Sequence, residues 1–227
     1  MTSHRQGILS AIRAALPRAV LPPGEAAPAP LPLPPEATQD PAMLVDRFGQ
    51  ELAALTGHVH QPATAEAAIE VVLGIVQAHR AQEIIAWDEA YLPLPGLTSA
   101  LDAAGIARRP VDLPRLGGGR KSVLAALAQA PLGLTGAAAG IASNGSLALV
   151  SGPGRSRLAS LLPPVHVALL SRDRIYPTLA AFLQAQPEAA TAGSNLVFIA
   201  GPSRTADIEM TLSIGVHGPG EIHVVLL

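Results

Sequence analysis

Apolar residues recur along this chain with two spacings that alternate, and the alternation is the first clue to its architecture. Ile8, Leu9, Ile12 and Leu16 fall three or four apart, which predicts a short amphipathic helix over 7–16, stopped by Pro17. Met43, Leu44, Phe48, Leu52 and Leu55 repeat the helical stripe and run into Gly57, the residue expected to take a left-handed cap. Thr64 is the expected N-cap of a helix from Ala65 to Arg80 whose face carries Ala68, Ile69, Val72, Leu73 and Val76. Between and after these lie short apolar runs with strand character: His58-Val-His60, Glu83 to Trp87, Ala107 to Leu113, Val165 to Leu170, Asn195 to Ala200 and Ile222 to Leu227. Further helices are expected at Leu97 to Ala104, Lys121 to Ala130, Arg155 to Leu161, Arg174 to Gln184 and Thr205 to Thr211.

Strand, helix, strand with short connections predicts an α/β fold: a mostly parallel sheet with helices on both faces. Leu132 to Ala139 and Ser146 to Val150 flank Asn144-Gly145, a strong hairpin signal, so an antiparallel pair is expected to interrupt the parallel order. Ahead of this domain, nine of the 25 residues from Pro17 to Pro41 are proline, which favours an extended strap or linker over regular structure. The division expected is therefore an arm and proline-rich linker over 1–41 and one α/β domain over 42–227, with the arm a candidate for self-association into a homo-oligomer.

Composition removes several chemistries. With no cysteine among 227 residues, thiol nucleophiles and cysteine-held zinc or iron–sulfur centres are excluded, and no cofactor is expected on this chain itself. A net charge of −2, with three Phe, two Tyr and one Trp, gives neither the basic footprint nor the stacking platforms of a nucleic-acid binder. The charge-free stretch from Ser122 to Gly154 is broken by Pro131, Asn144 and several glycines, so it reads as buried core rather than a membrane span. No export signal is recognisable near Arg5 and Arg13, and the cytoplasm is the expected location.

Three glycine-rich polar segments follow apolar runs, where open α/β sheets bind their ligands. The first is Ser143-Asn144-Gly145-Ser146, which also reads as a plain turn. The second is Ser151-Gly-Pro-Gly-Arg155-Ser-Arg157, whose two guanidinium groups suit a carboxylate or phosphate, or equally a solvated helix start. The third runs from Gly201 to Glu209. There Ser203, Arg204 and Thr205 would crowd the N-terminus of the helix expected at Thr205, an anion site if a ligand comes and a simple cap if not. Asp207 and Glu209 point apart on such a helix and complement its dipole. His217 sits among small residues that let a ligand approach. A Ser203–His217–Asp207 relay lacks nucleophile-elbow spacing, and no residue is assigned as catalytic. His58-x-His60 points two imidazoles to one side of a strand, but no third ligand is evident and no metal is expected.

The run Arg155-Ser-Arg-Leu-Ala-Ser-Leu-Leu-Pro163, the segment Gly201-Pro-Ser-Arg-Thr-Ala-Asp-Ile-Glu209 and the stretch Gly215-Val-His-Gly-Pro219 together resemble the lactate-utilization protein C family, the LUD domain, from about Met43 to Leu227. The resemblance implies a fold similar to the sugar-isomerase, ribose-phosphate-isomerase and CoA-transferase superfamily. It also implies a part in oxidising L-lactate to pyruvate beside iron–sulfur oxidoreductase partners. Many relatives carry an acidic residue where this chain has Ser143, so a carboxylate-based transferase step is not expected here. The leading expectation is a component of an organic-acid oxidation system binding a small carboxylate or phosphate-bearing ligand. The alternatives are a stand-alone isomerase or transferase acting on a phosphosugar or acyl-CoA, using Asp207, Glu209 or Glu221 as acid or base, and a non-catalytic assembly subunit.

Overall fold

A computed structural model describes residues 4–16, 40–109, 111, 119–206, 212–214 and 218–227, with the backbone alone at 204–206 and 212–214. The chain falls into two compact units, residues 1–32 and 33–227. In the first unit, α1 (His4–Ala15) is the predicted amphipathic helix, and its apolar stripe is exposed, Ile8 at 61% and Leu16 at 63%. The proline-rich run up to residue 39 lies outside the described residues.

The second unit starts at α2 (Pro41–Ala54), where Asp40 caps the helix and Pro41 occupies a position whose N–H would have no partner anyway. Leu44, Val45, Phe48 and Leu52 are buried, while Met43, expected on the same face, is exposed. The left-handed residue after the helix is Thr56 (φ 67), not Gly57. Gly57 meets a different demand, because a Cβ there would stand 2.6 Å from Leu52 Cδ1. The chain continues through β1 (His58–His60), α3 (Ala65–Ala78), β2 (Glu83–Ala86), α4 (Leu97–Ala103), β3 (Ala107–Arg109), α5 (Gly119–Leu127), β4 (Leu132–Gly136), β5 (Ala139–Ile141), β6 (Ser146–Ser151), β7 (Val165–Leu170), β8 (Ile175–Tyr176), α6 (Leu179–Ala185), β9 (Asn195–Ile199), β10 (Arg204–Ala206), β11 (Leu212–Ile214) and β12 (Glu221–Leu226). Thr64 and Thr178 cap α3 and α6 through their hydroxyls, as β-region residues before a helix do.

Six strands form one sheet in the order β1-β12-β7-β4-β2-β3, and every pairing in it is parallel. Strands β4 and β7 are buried at every position, and β12 at all but Glu221, the near-continuous apolar pattern of a sheet covered on both faces. A second sheet, β8-β5-β6-β9, carries the predicted hairpin: β5 and β6 pair antiparallel around Asn144-Gly145. The expectation that this hairpin interrupts the parallel sheet is corrected. The apolar run from Leu132 is split after Gly136, so β4 enters the large sheet and β5 leaves it for the small one. A small apolar cluster of Ala139, Ile141, Ala148, Phe182 and Ala189 packs against the second sheet, with Phe182 edge-on to Tyr176 at 5.4 Å.

The helix expected from Thr205 does not begin there, since Arg204–Ala206 is strand, paired antiparallel with Leu212–Ile214 in register Arg204↔Ile214; the rest of that expected span, 207–211, lies outside the described residues. A run this short does not decide between the helical and strand periods. Arg157–Ser160, expected within a helix, is a 3-10 turn lying directly on β4: a Cβ on Gly133 would collide with the Ala159 carbonyl.

Candidate functional site

The parallel sheet reverses its winding between β2 and β4: from β2 the chain steps outward to β3, then returns to the other side of β2 as β4 and proceeds to β7 and β12. Open α/β sheets bind ligands outside the carboxyl ends of strands at such a reversal. A cleft of about 390 Å³ lies there, lined by Ala90–Pro93 after β2, Ala137 and Ala138 after β4, and Ser171 and Arg174 after β7. Arg155, Phe182, Gln186 and Glu188 complete its polar and apolar walls. Its size suits a small-molecule site.

Arg155 is the best-positioned side chain in it. The Gly152-Pro-Gly154 turn closes on itself, Gly152 N–H donating to the Arg155 carbonyl (3.0 Å) and Arg155 N–H to that of Gly152 (3.1 Å). Gly154 has φ 72, and Asp88 N–H donates to its carbonyl at 2.7 Å, so the turn is tied to the segment after β2. The adjoining Trp87 indole donates to the Ser156 carbonyl at 2.9 Å. From this mount the Arg155 guanidinium donates through Nη2 to the Ala192 carbonyl (2.8 Å) and lies 4.8 Å from the centre of the Tyr91 ring. Its Nε–H is buried with no partner among the described residues. A buried donor left without an acceptor costs about 1–3 kcal/mol, so an anionic guest that reaches it is favoured. Arg174 adds a second positive charge to the lining and Glu188 one negative, leaving it net cationic among the described residues.

A different polar cluster sits at the amino ends of β1 and β12. His58 and His223 are register partners there. His223 joins His60 (Nδ1 to Nε2, 3.0 Å) and Glu221 (Nε2 to Oε1, 2.7 Å), and its ring stacks on His58 at 4.7 Å. His79, at the end of α3, reaches Glu221 at 3.4 Å. Burial, which outweighs the neighbouring Glu221 carboxylate, pulls His223 below the usual histidine range. Burial and the charge of His58 do the same to His60. At Glu221 burial pushes the carboxyl up, but the His223 hydrogen bond and the charges of His223, His79 and His58 together hold it below its ordinary value. In the core, His166 shares a 2.9 Å hydrogen bond with Thr135, and complete burial lowers its pKa to about 4, so it is a neutral ring at physiological pH.

The segments singled out in the sequence are distributed over several places. Arg155 lines the cleft; Arg157 is exposed on the 3-10 turn. Ser143, Asn144 and Gly145 form the β5–β6 turn, where Asn144 Oδ1 accepts from Ser146 N–H (3.1 Å) and Gly145 (φ 64) presses on the backbone of Leu52. Gly201 packs likewise on Leu55, and Ser203 N–H donates to the Pro219 carbonyl at 2.8 Å. None of Ser143, Asn144, Gly145, Gly201 and Ser203 lines the cleft. Arg204 and Thr205 lie in β10, with their side chains outside the description, and Asp207, Glu209 and His217 lie outside the described residues altogether. Loss of the helix at Thr205 removes the amide cluster on which the third anion site depended. Tyr91, Arg174 and Glu188 were not singled out; Arg174 was discoverable, because Arg172-Asp-Arg174 directly follows the apolar strand β7. Its neighbour Arg172 donates through Nη2 to the Pro62 carbonyl at 2.9 Å, and its Nε, like that of Arg155, is buried without a partner among the described residues.

No helix among the described residues is long and apolar enough to cross a membrane. A protein of Halalkalibacterium halodurans named lactate utilization protein C is 35% identical over 154 residues, covering 66% of this chain and 64% of that protein, less than two thirds of its length. A protein of the same name from a Geobacillus species is 32% identical over 182 residues, covering 77% of this chain and 75% of the relative. The crystal structure of a DUF162 family protein from Deinococcus radiodurans superposes with a TM-score of 0.61 at 20% identity, covering 83% of this chain and 99% of that one, which shows the shared fold. The LUD domain model matches residues 45–227, the part of the α/β unit that builds both the cleft and the histidine cluster, and the chain belongs to the LUD domain family.

Proposed function

We propose that this protein serves an L-lactate oxidation system by holding a small carboxylate, lactate or pyruvate, in the cleft at the carboxyl ends of β2, β4 and β7. The observation that carries the reading is Arg155: a guanidinium fixed by its own turn, by Tyr91 and by Ala192, with one buried N–H that has no partner among the described residues, at the switch point of the sheet. A carboxylate accepts from that N–H and is drawn further by Arg174, which lines the same cleft. The relatives named lactate utilization protein C support the choice of acid. Oxidation of lactate removes two electrons and two protons, and a chain without cysteine offers no thiolates to hold an iron–sulfur centre. The electrons therefore pass to iron–sulfur oxidoreductase partners, while this chain binds and orients the acid.

Calorimetry with L-lactate, D-lactate, pyruvate and inorganic phosphate tests the reading on the wild type, Arg155→Ala and Arg155→Lys, with Arg204→Ala for comparison. Loss of a charge-assisted hydrogen bond is worth about 1.5–3 kcal/mol, so Arg155→Ala is expected to weaken binding by roughly 10–150-fold. Arg155→Lys keeps the charge but not the fixed fork, and falls between the two. Folded wild type that takes up none of the four ligands overturns the proposal.

A further inference from the structure

Four of the chain's seven histidines meet one glutamate at the sheet edge, where the cleft makes no use of them. We propose that His58, His223 and Glu221 bind a divalent transition-metal ion of the zinc class, which clamps the edge strand β1 to β12. This goes beyond the function proposed for the cleft and does not depend on it.

One ligand atom from each of the three residues lies within 4.8 Å of the others. An ion about 2.0–2.2 Å from nitrogen and oxygen donors needs those donors roughly 3–3.5 Å apart, so closure is a side-chain adjustment. His58 is exposed and makes that adjustment without disturbing the core. Register supplies the arrangement: His58 is paired with His223 across β1 and β12, and Glu221 stands two residues from His223, hence on the same face. Two imidazoles and one carboxylate leave a fourth position open, a donor set suited to zinc and its neighbours. Magnesium and calcium prefer oxygen alone.

The surroundings are arranged as a metal site requires. His223 Nε2 and Glu221 Oε1 are 2.7 Å apart and share a proton. The incoming ion takes Nε2 of the neutral ring, whose single proton moves to Nδ1 while His60 carries its own proton on Nδ1. The Nδ1–H of His223 then donates to His60 Nε2, 3.0 Å away, the outer hydrogen bond that fixes a ligating imidazole. His79 Nε2 lies 3.4 Å from the same carboxylate oxygen, within ion-pair reach. Hydrogen bonding alone accounts for the chain Glu221–His223–His60, but not for His58, which stacks on His223 and makes no side-chain hydrogen bond among the described residues. Strand β1 has three residues and one neighbour, so a clamp at its first residue closes a weak edge.

The test uses the full chain freed of metal by a chelator, then titrated with zinc chloride by calorimetry and with cobalt chloride by visible spectroscopy. The expected result is one ion per chain and intense cobalt d–d bands of low coordination number. At a zinc concentration about 100-fold above Kd, Tm is expected to rise by roughly 5–10 °C. His60→Ala is expected to weaken binding about 10–100-fold, His58→Ala and Glu221→Gln by more, and His4→Ala on α1 not at all. Circular dichroism establishes that each variant is folded. Where one is not, the cobalt spectrum of the wild type decides alone: only the weak bands of hydrated cobalt overturn the site. Absence of saturable zinc binding by folded wild type overturns it too, as does binding that His58→Ala and Glu221→Gln leave unchanged.

Discussion

Acidification should destabilise this protein through one buried ring. His166 is wholly inaccessible on β7, with Nε2 hydrogen-bonded to Thr135 and Nδ1 buried without a partner among the described residues. Burial lowers its pKa from 6.5 to about 4 in the folded state, whereas the unfolded chain keeps the ordinary value. Above pH 6.5 both states carry a neutral ring and His166 imposes no pH dependence. As pH falls below 6.5 the unfolded state takes up a proton the folded state refuses, so stability is lost progressively until pH passes the folded value near 4. At 1.36 kcal/mol per unit, the full loss is about 3 kcal/mol, of which about 2 kcal/mol has gone near pH 5. For a domain of this size that is a fall in Tm of about 4–8 °C. His60 and His223 are shifted in the same direction, so the effect of His166 has to be isolated by comparing slopes. Thermal unfolding of wild type and His166→Gln is measured from near pH 7.5 to near pH 5. The variant is expected to be less stable at neutral pH yet to lose several degrees less on acidification. Where His166→Gln does not fold, an NMR titration of the wild-type ring serves. Parallel slopes, or a His166 ring that titrates near 6.5 in the folded protein, refute the reasoning.

Gly133→Ala drives a methyl into the Ala159 carbonyl, which is backbone and cannot swing away. Its cost is expected at or above the upper end of the roughly 1–3 kcal/mol typical of overpacking, and an unchanged Tm would show that the 3-10 turn does not rest on β4. Gly154→Ala combines a φ of 72 with a collision at the Asp88 carboxylate, so it should weaken carboxylate binding at the cleft as well as stability, both read from calorimetry. Trp87→Phe removes the indole bond to the Ser156 carbonyl, which keeps Ala159 N–H at 3.2 Å, so the loss expected is about 0.5–1.5 kcal/mol, measurable by urea unfolding followed by circular dichroism.

The cleft was half legible in the sequence. Arg155 stood out as a guanidinium just after two glycines and a long charge-free stretch, a pattern that suits an anion site and a solvated helix start equally. Tyr91 and Glu188 carry no such mark, since each lies in an ordinary polar connection and gains its role only when the ends of β2, β4 and β7 come side by side. The histidine cluster shows the same limit. His58-x-His60 was visible as a pair, but Glu221 and His223 lie more than 160 residues further on in the chain and reach it only through the register of β1 with β12.

What the sequence by itself determined is local: the cap at Thr64, the Asn144-Gly145 turn, the apolar strands and the parallel order they imply, because each rests on neighbours within a few residues. Tertiary structure alone decided that the run from Leu132 divides between two sheets, and that Arg204–Ala206 is strand where its period allowed helix. It also decided which end of the large sheet gathers positive charge and which gathers imidazoles. Those outcomes depend on strand partners distant in the chain, and a short apolar run carries no information about its partner until the backbone hydrogen bonds of the sheet are formed.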